Sequence, residues 1–209
     1  MTQTRSSQVG FRLGAGALCL DFTQTLRWRL KQQRKEFLTS YDELVRFGQE
    51  TALLNPDLAN QLRNAAVRRP ADAAVVLNEA MTLREAIYRV FTAISIKQQP
   101  AQKDLESIKQ ALAVALSHRT FIASNNGFSW GWIEQPLMLD RVVWPIALSA
   151  AELLTSDQRE MIHQCAAEDC ALLFLDTSRN RRRRWCDMQT CGNRAKVSRF
   201  RARRQSDGD

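Results

Sequence analysis

Apolar positions recur in helical steps through most of the chain, switch to alternation once, and then thin out towards the end. Leu18, Leu20, Phe22 and Leu26 mix the two spacings and predict a helix over about 18–31. Ser40 followed by Glu43 is a capping-box pattern. In it the hydroxyl accepts from the Glu43 amide and the Glu43 side chain reaches back. It opens a helix carrying Leu44, Phe47 and Leu54. Asn55 and Pro56 read as an N-cap followed by proline at the first helical position, for a helix to about Arg69 that Pro70 ends. The longest helical pattern runs from Ala71 to Gln98, with Leu83, Ile87, Val90, Phe91 and Ile94 at three- and four-residue steps. Pro100 stops it, and Ala101 to Leu116 forms another amphipathic helix.

The period then changes. His118–Ile122 and Phe128–Ile133 flank Asn125-Asn126-Gly127, a hairpin turn signal. Trp130 and Trp132 fall on one face of the second strand and predict cover over a core. A last helix, Leu137 to Leu154, is apolar nearly all round, and Pro145 within it predicts a kink or break. Thr155-Ser156-Asp157 is a polar hinge. The expected division is a helical unit over 1–155 and a small unit over 156–209.

Composition adds bounds. The chain has 209 residues and is 44% apolar, enough for a packed core of ordinary size beside a small module. No run of 18 or more apolar residues appears, so no transmembrane helix is expected. The first twenty residues lack the long apolar stretch of a secretory signal, which predicts a cytoplasmic protein with reduced thiols.

Charge changes the picture more. Residues 179–209 hold eleven basic and three acidic side chains, a net +8 that equals the net charge of the whole chain. Residues 1–178 are therefore neutral. Excess charge confined to one module points to contact with a polyanion. A second basic cluster, Arg27, Arg29, Lys31, Arg34 and Lys35 around Trp28, reads as a solvated helix face with Trp28 packed, in preference to another nucleic-acid contact.

Four of the five cysteines share that basic module, as Cys165-x4-Cys170 and Cys186-x4-Cys191 with fifteen residues between. Two close pairs at such a separation match a structural zinc site, in which four thiolates take tetrahedral corners. Disulfides are disfavoured by the compartment. His163 lies near Cys165, but four thiolates close the site without it. Residues 171–175 are expected to leave the first pair as a strand, 184–186 to return as its partner, and a helix to run from Cys191 to about Arg204. The fold class is thus mainly α with a small β-hairpin, an α+β chain. An N-terminal helical domain precedes a small treble-clef-like zinc finger. Zn²⁺ is the expected cofactor, with metal binding supplying the module's folding energy. Elsewhere, Asp21 stands in apolar company and is expected to turn to solvent or cap the next turn. With two histidines and no G-x-S-x-G elbow, no catalytic constellation stands out, and no enzyme is expected.

Cys165-Ala-Ala-Glu-Asp-Cys170, Phe174-Leu-Asp-Thr-Ser178, Arg183-Arg184-Trp185-Cys186 and Cys191-Gly-Asn-Arg194 closely resemble the bacterial CGNR zinc-finger family, and Gly16-Ala-Leu-Cys-Leu-Asp-Phe22 resembles the start of the ABATE domain that precedes that finger. The resemblance implies a stress-response transcription regulator whose finger binds DNA. It makes the four cysteines ligands and Arg183, Arg184 and Arg194 DNA-facing or scaffold positions. Charge and spacing add Arg179, Arg181, Arg182, Lys196, Arg199 and Arg203 as nucleic-acid contacts, while Val197 and Phe200 pack. Double-stranded DNA is the expected partner; RNA binding or protein interaction is the rival, since a basic patch does not choose its polyanion. Trp185 reads as packed under the knuckle rather than stacked on a base. The helical domain is a candidate for homodimerisation and for sensing a small-molecule effector of unknown identity.

Overall fold

The computed structural model describes residues 10–125, 127–133 and 135–198. The elements run α1 (Leu18–Thr23), β1 (Leu26–Arg27), β2 (Lys35–Glu36), α2 (Tyr41–Glu50), α3 (Pro56–Arg68), α4 (Pro70–Ser95) and α5 (Gln102–Ser117). They continue with β3 (Arg119–Ser124), β4 (Gly127–Trp132), α6 (Val143–Thr155), β5 (Ile162–Gln164) and β6 (Leu173–Leu175). Helices α1, α2, α3, α5 and α6 all pack against α4, which also meets β5 and β6. At 26 residues, α4 is about 39 Å long. Its buried face carries Ala80, Leu83, Ile87, Val90 and Phe91, the helical steps visible in the sequence.

Local chemistry sets the boundaries. Asn55 Oδ1 accepts from Leu58 N at 2.8 Å, with Pro56 opening α3. Ser40 Oγ accepts from Glu43 N at 3.3 Å, but the Glu43 carboxylate lies 2.5 Å from Arg46 instead of completing the box. Leu54 lies beyond α2, buried against its last turn. Pro145 sits in the first turn of α6, where its missing N–H costs nothing, so the helix is not kinked. The break falls earlier, at the 3₁₀ turn Leu139–Val142.

Two expectations fail. The helix predicted over 18–31 ends at Thr23. The Thr23 and Thr25 hydroxyls donate to the carbonyls of Leu20 and Phe22, and Leu26 and Arg27 pair with Glu36 and Lys35. No helix face carries the basic cluster: Lys31, Arg34 and Lys35 are exposed as expected, but Trp28 is exposed instead of packed, and Arg29 is buried and donates to both Glu85 oxygens at 2.6 and 3.1 Å. Beside it, Arg84 makes a fork of two 2.7 Å bonds to Glu36 and a 3.1 Å bond to Thr25. Burial alone would raise the Glu85 carboxyl. The Arg29 hydrogen bond and the charges of Arg29 and Arg84 outweigh that and hold it below the ordinary range.

The hairpin β3–β4 forms with Phe121 opposite Trp130 and Ala123 opposite Phe128. Only its base covers a core. The Trp132 ring lies 5.7 Å from Trp144, which stacks on His118 at 4.2 Å. Trp130 is 70% exposed, with Phe121 and Phe128 beside it, because this two-stranded sheet has nothing over its outer end among the described residues.

The last part of the chain is joined to the helices through β6. Leu173 and Leu175 enter the main core with Ile162, whereas Leu172 and Phe174 pack in a second cluster with the cysteines. This is the period-2 alternation of a strand serving two cores at once. Leu175 N donates to Ala15 O at 2.7 Å. Gly16 (φ +96°) lies so close to this strand that an added Cβ would come within 2.9 Å of Leu175 Cβ. Among the described residues, no helix is long and apolar enough to cross a membrane.

Candidate metal centre and basic surface

Two knuckles present the cysteines. In the first, Cys170 N donates to Ala167 O at 3.0 Å and Cys165 N to Leu172 O at 2.8 Å. Ala171 (φ 54°) then turns the chain into β6, a left-handed position that a side chain adopts only under constraint. In the second, Asp187 Oδ1 accepts from the Thr190 backbone at 2.6 Å and its hydroxyl at 2.8 Å. That cap starts a π-helical turn, Met188–Gly192, which runs on into helix over 193–198. Gly192 faces Met188, whose sulfur would lie 2.9 Å from an added Cβ.

The strand pairing differs from expectation. Residues 184–186 do not return beside β6; β5 takes that place, with Ile162 opposite Leu175 and Gln164 opposite Leu173. The returning segment lies instead against the first knuckle, through Ala166 N donating to Arg184 O at 2.8 Å. Ile162 gives β5 a place in the main core opposite Leu175, whereas Arg184 is exposed and brings no such packing to the edge.

The Sγ atoms of Cys165, Cys170, Cys186 and Cys191 lie within 4.8 Å of one another, all buried. Cys170 and Cys186 are 3.5 Å apart, and Cys186 and Cys191 3.7 Å. A tetrahedron with metal–sulfur bonds near 2.3 Å has edges of about 3.8 Å, so the set fits one metal ion. Thiols this close do not ionise together: the hydrogen bond with Cys165, then burial and the Cys165 charge, push the Cys170 thiol up. A bound cation removes that cost by taking all four as thiolates. His163 is outside the cluster, its ring 6.1 Å from Phe174. Cys19 is remote from it, and burial pushes its thiol up to about 12.

The arginines divide by role. Arg183 donates to the carbonyls of Trp185 and Cys186 and lies 4.5 Å over the Phe174 ring. Arg194 donates to Asp169 at 2.9 Å and to the Cys191 sulfur at 3.4 Å, a positive charge against the thiolate. Both therefore hold the knuckles. Arg179, Arg181, Arg182, Arg184 and Lys196 lie at the surface. Arg199 and Arg203, with Phe200, lie outside the described residues. Trp185 packs against the cysteine cluster, as expected.

Asp176 carries no ligand-type signal in the sequence, yet it organises the basic loop. It is buried and accepts from Ser178 N at 3.0 Å, Ser178 Oγ at 2.5 Å and Arg183 N at 2.8 Å. Burial would raise its carboxyl, but the Ser178 and Arg183 hydrogen bonds hold it low. Its anchored carboxylate shapes the loop that presents Arg179, Arg181 and Arg182. The Asp-Thr-Ser sequence, an Asx-turn pattern, is the one local hint of this role. Asp21 neither turns to solvent nor caps the next turn: its Oδ1 accepts from Gly14 N and Ala15 N of the preceding loop at 2.8 and 2.7 Å, while burial raises its pKa despite those bonds.

Comparison with known families agrees with this geometry. Residues 16–157 match ABATE, described as "Putative stress-induced transcription regulator", and residues 161–204 match the CGNR zinc finger. The chain belongs to the ABATE family. No curated protein matches it. The ABATE match covers the helical unit, and the CGNR match spans the four-cysteine cluster positioned for the metal.

Proposed function

We propose that this ABATE protein is a zinc-dependent transcription regulator that binds double-stranded DNA through its C-terminal finger. The observation that carries the reading is the set of unspent surface cations on the finger. Arg179, Arg181, Arg182, Arg184 and Lys196 have no ion-pair partner among the described residues, although Arg183 and Arg194 beside them are committed to the knuckles. Guanidinium groups held at the rim of a rigid metal centre suit phosphate oxygens and guanine edges. Cys165, Cys170, Cys186 and Cys191 hold Zn²⁺, which fixes that rim and performs no chemistry. No catalytic role is assigned to any residue.

We place the functional division near residue 156, with 1–155 sensing or dimerising and 156–209 meeting DNA, in the bacterial cytoplasm. A single finger offers a small contact, so a homodimer is part of the proposal; light scattering showing one chain at micromolar concentration would refute that part. The main reading is tested by selection from a random duplex pool with single-stranded RNA as competitor. Enrichment of a duplex motif, lost when Arg179, Arg181 and Arg182 are changed together to Gln, is expected. Displacement of duplex by the RNA would favour the RNA-binding alternative.

A further inference from the structure

An open groove of about 960 Å³ lies between the N-terminal segment and the finger, walled by Arg12, Arg27 and Trp28 on one side and by Asn193 and Arg194 on the other. Cys170 and Cys191 lie along it. Its size is within the range of small-molecule sites, and no carboxylate lines it among the described residues.

The cations in it are not equally occupied. Arg12 has Asp187 at 3.6 Å, and Arg194 has Asp169 and the Cys191 sulfur. Arg27 has no carboxylate partner among the described residues. Its guanidinium lies 4.5 Å over the Phe37 ring and makes one long bond, 3.4 Å, to Gly10 O, and its Nε is buried without a hydrogen-bond partner. Burial, and then the charge of Arg12, push its pKa below the usual range. An anion placed between Arg12 and Arg27 would relieve both costs.

Trp28 follows directly. It adopts φ 54°, the left-handed region that a bulky residue rarely enters. The indole is 38% exposed and lines the groove. Strained residues gather at ligand sites. Lys31 lies 5.4 Å from the ring centroid and pairs with Asp169 at 3.0 Å, so the Trp28 loop is tied to the same carboxylate that holds Arg194.

We propose that this groove binds a small aromatic anion, its ring stacked on Trp28 and its anionic group held by Arg27 and Arg12. The ligand touches the helical unit and the finger together, which makes the groove the effector site of the chain. A concave site with a single aromatic wall suits a molecule of nucleotide size better than a duplex. The anion could come from a nucleotide phosphate or an aromatic carboxylate; both present the same ring and charge. Occupancy of the groove by the anion does not depend on DNA binding, and a duplex enters the test only as the rival occupant.

The test is calorimetric titration of the full-length zinc-loaded protein with adenosine monophosphate, salicylate, inorganic phosphate and adenosine. One of the first two is expected to bind once per chain, and which one does identifies the source. Phosphate and adenosine, each carrying half the chemistry, should bind at least about tenfold more weakly. Trp28→Leu and Arg27→Gln should each weaken binding at least about tenfold while zinc content is retained; if Arg27→Gln loses zinc, Arg27→Lys replaces it. No saturation by either aromatic anion up to about 1 mM overturns the proposal. So does binding that survives Trp28→Leu. A duplex oligonucleotide that shields Trp28 from acrylamide quenching, when neither small anion binds, also overturns it and assigns the groove to DNA.

Discussion

Arg84 shows how far a single residue can depart from its sequence appearance. It sits on a helical stripe of apolar positions, yet its buried guanidinium binds Glu36 and Thr25 and touches Glu85. Arg84→Ala removes a fully buried guanidinium and leaves Glu36 without its cationic partner, while Glu85 keeps Arg29, and is expected to cost about 3–5 kcal/mol in urea unfolding. A loss under about 1 kcal/mol would show the network to be solvated. The same network sets a pH dependence. Glu85 is held below its ordinary 4.5, so its share of stability is present above that value and lost as pH falls through its lower folded value. Wild type should lose stability in that acid range, and Glu85→Gln should flatten the change there. At the finger, Asp176→Ala removes the acceptor for Ser178 and Arg183, so the Arg179–Arg182 loop should lose order and DNA affinity while zinc content is kept. Loss of zinc in that variant would assign Asp176 to the knuckle instead.

Among elements, β6 decides whether the finger is an appendage. Leu173 and Leu175 belong to the core of the helices, Leu172 and Phe174 to the cysteine cluster. Leu175→Ala should therefore destabilise the helical unit by about 2–5 kcal/mol, although the residue lies between two zinc ligands in sequence. Metal removal should act in the same direction: a strong chelator is expected to lower the melting temperature of the helical CD signal, not merely release the finger. An unchanged helical melt would show independent units. The helices were legible because caps, prolines and apolar spacing agreed, as at Asn55-Pro56 and along α4. The partner of β6 was not. Strand pairing depends on which segment the tertiary fold brings to an edge, and Ile162–Gln164 carried no stronger local signal than 184–186. The break after Thr23 was hidden for a similar reason, since Arg29 and Glu36 answer charges on α4, far away in sequence.

At the scale of the whole molecule, a neutral helical body carries a basic metal centre, and all the net charge lies in residues 179–209. The ligand set was readable from spacing alone, because chemistry fixes which residues can be ligands and how closely they must approach. The split of the arginines into scaffold and free surface was not readable, because it depends on which carbonyls, rings and sulfurs each one meets. Only the free set should contribute counterion release. The most direct test is fluorescence anisotropy of a labelled duplex with the zinc-loaded protein across about 50 to 200 mM salt. If Arg179, Arg181, Arg182, Arg184 and Lys196 each meet a phosphate, log K should fall against log salt with a slope of about −4.5, steepening only if residues past 198 join them. A slope near zero, or one unchanged when those arginines become Gln, would contradict the finger as the DNA contact.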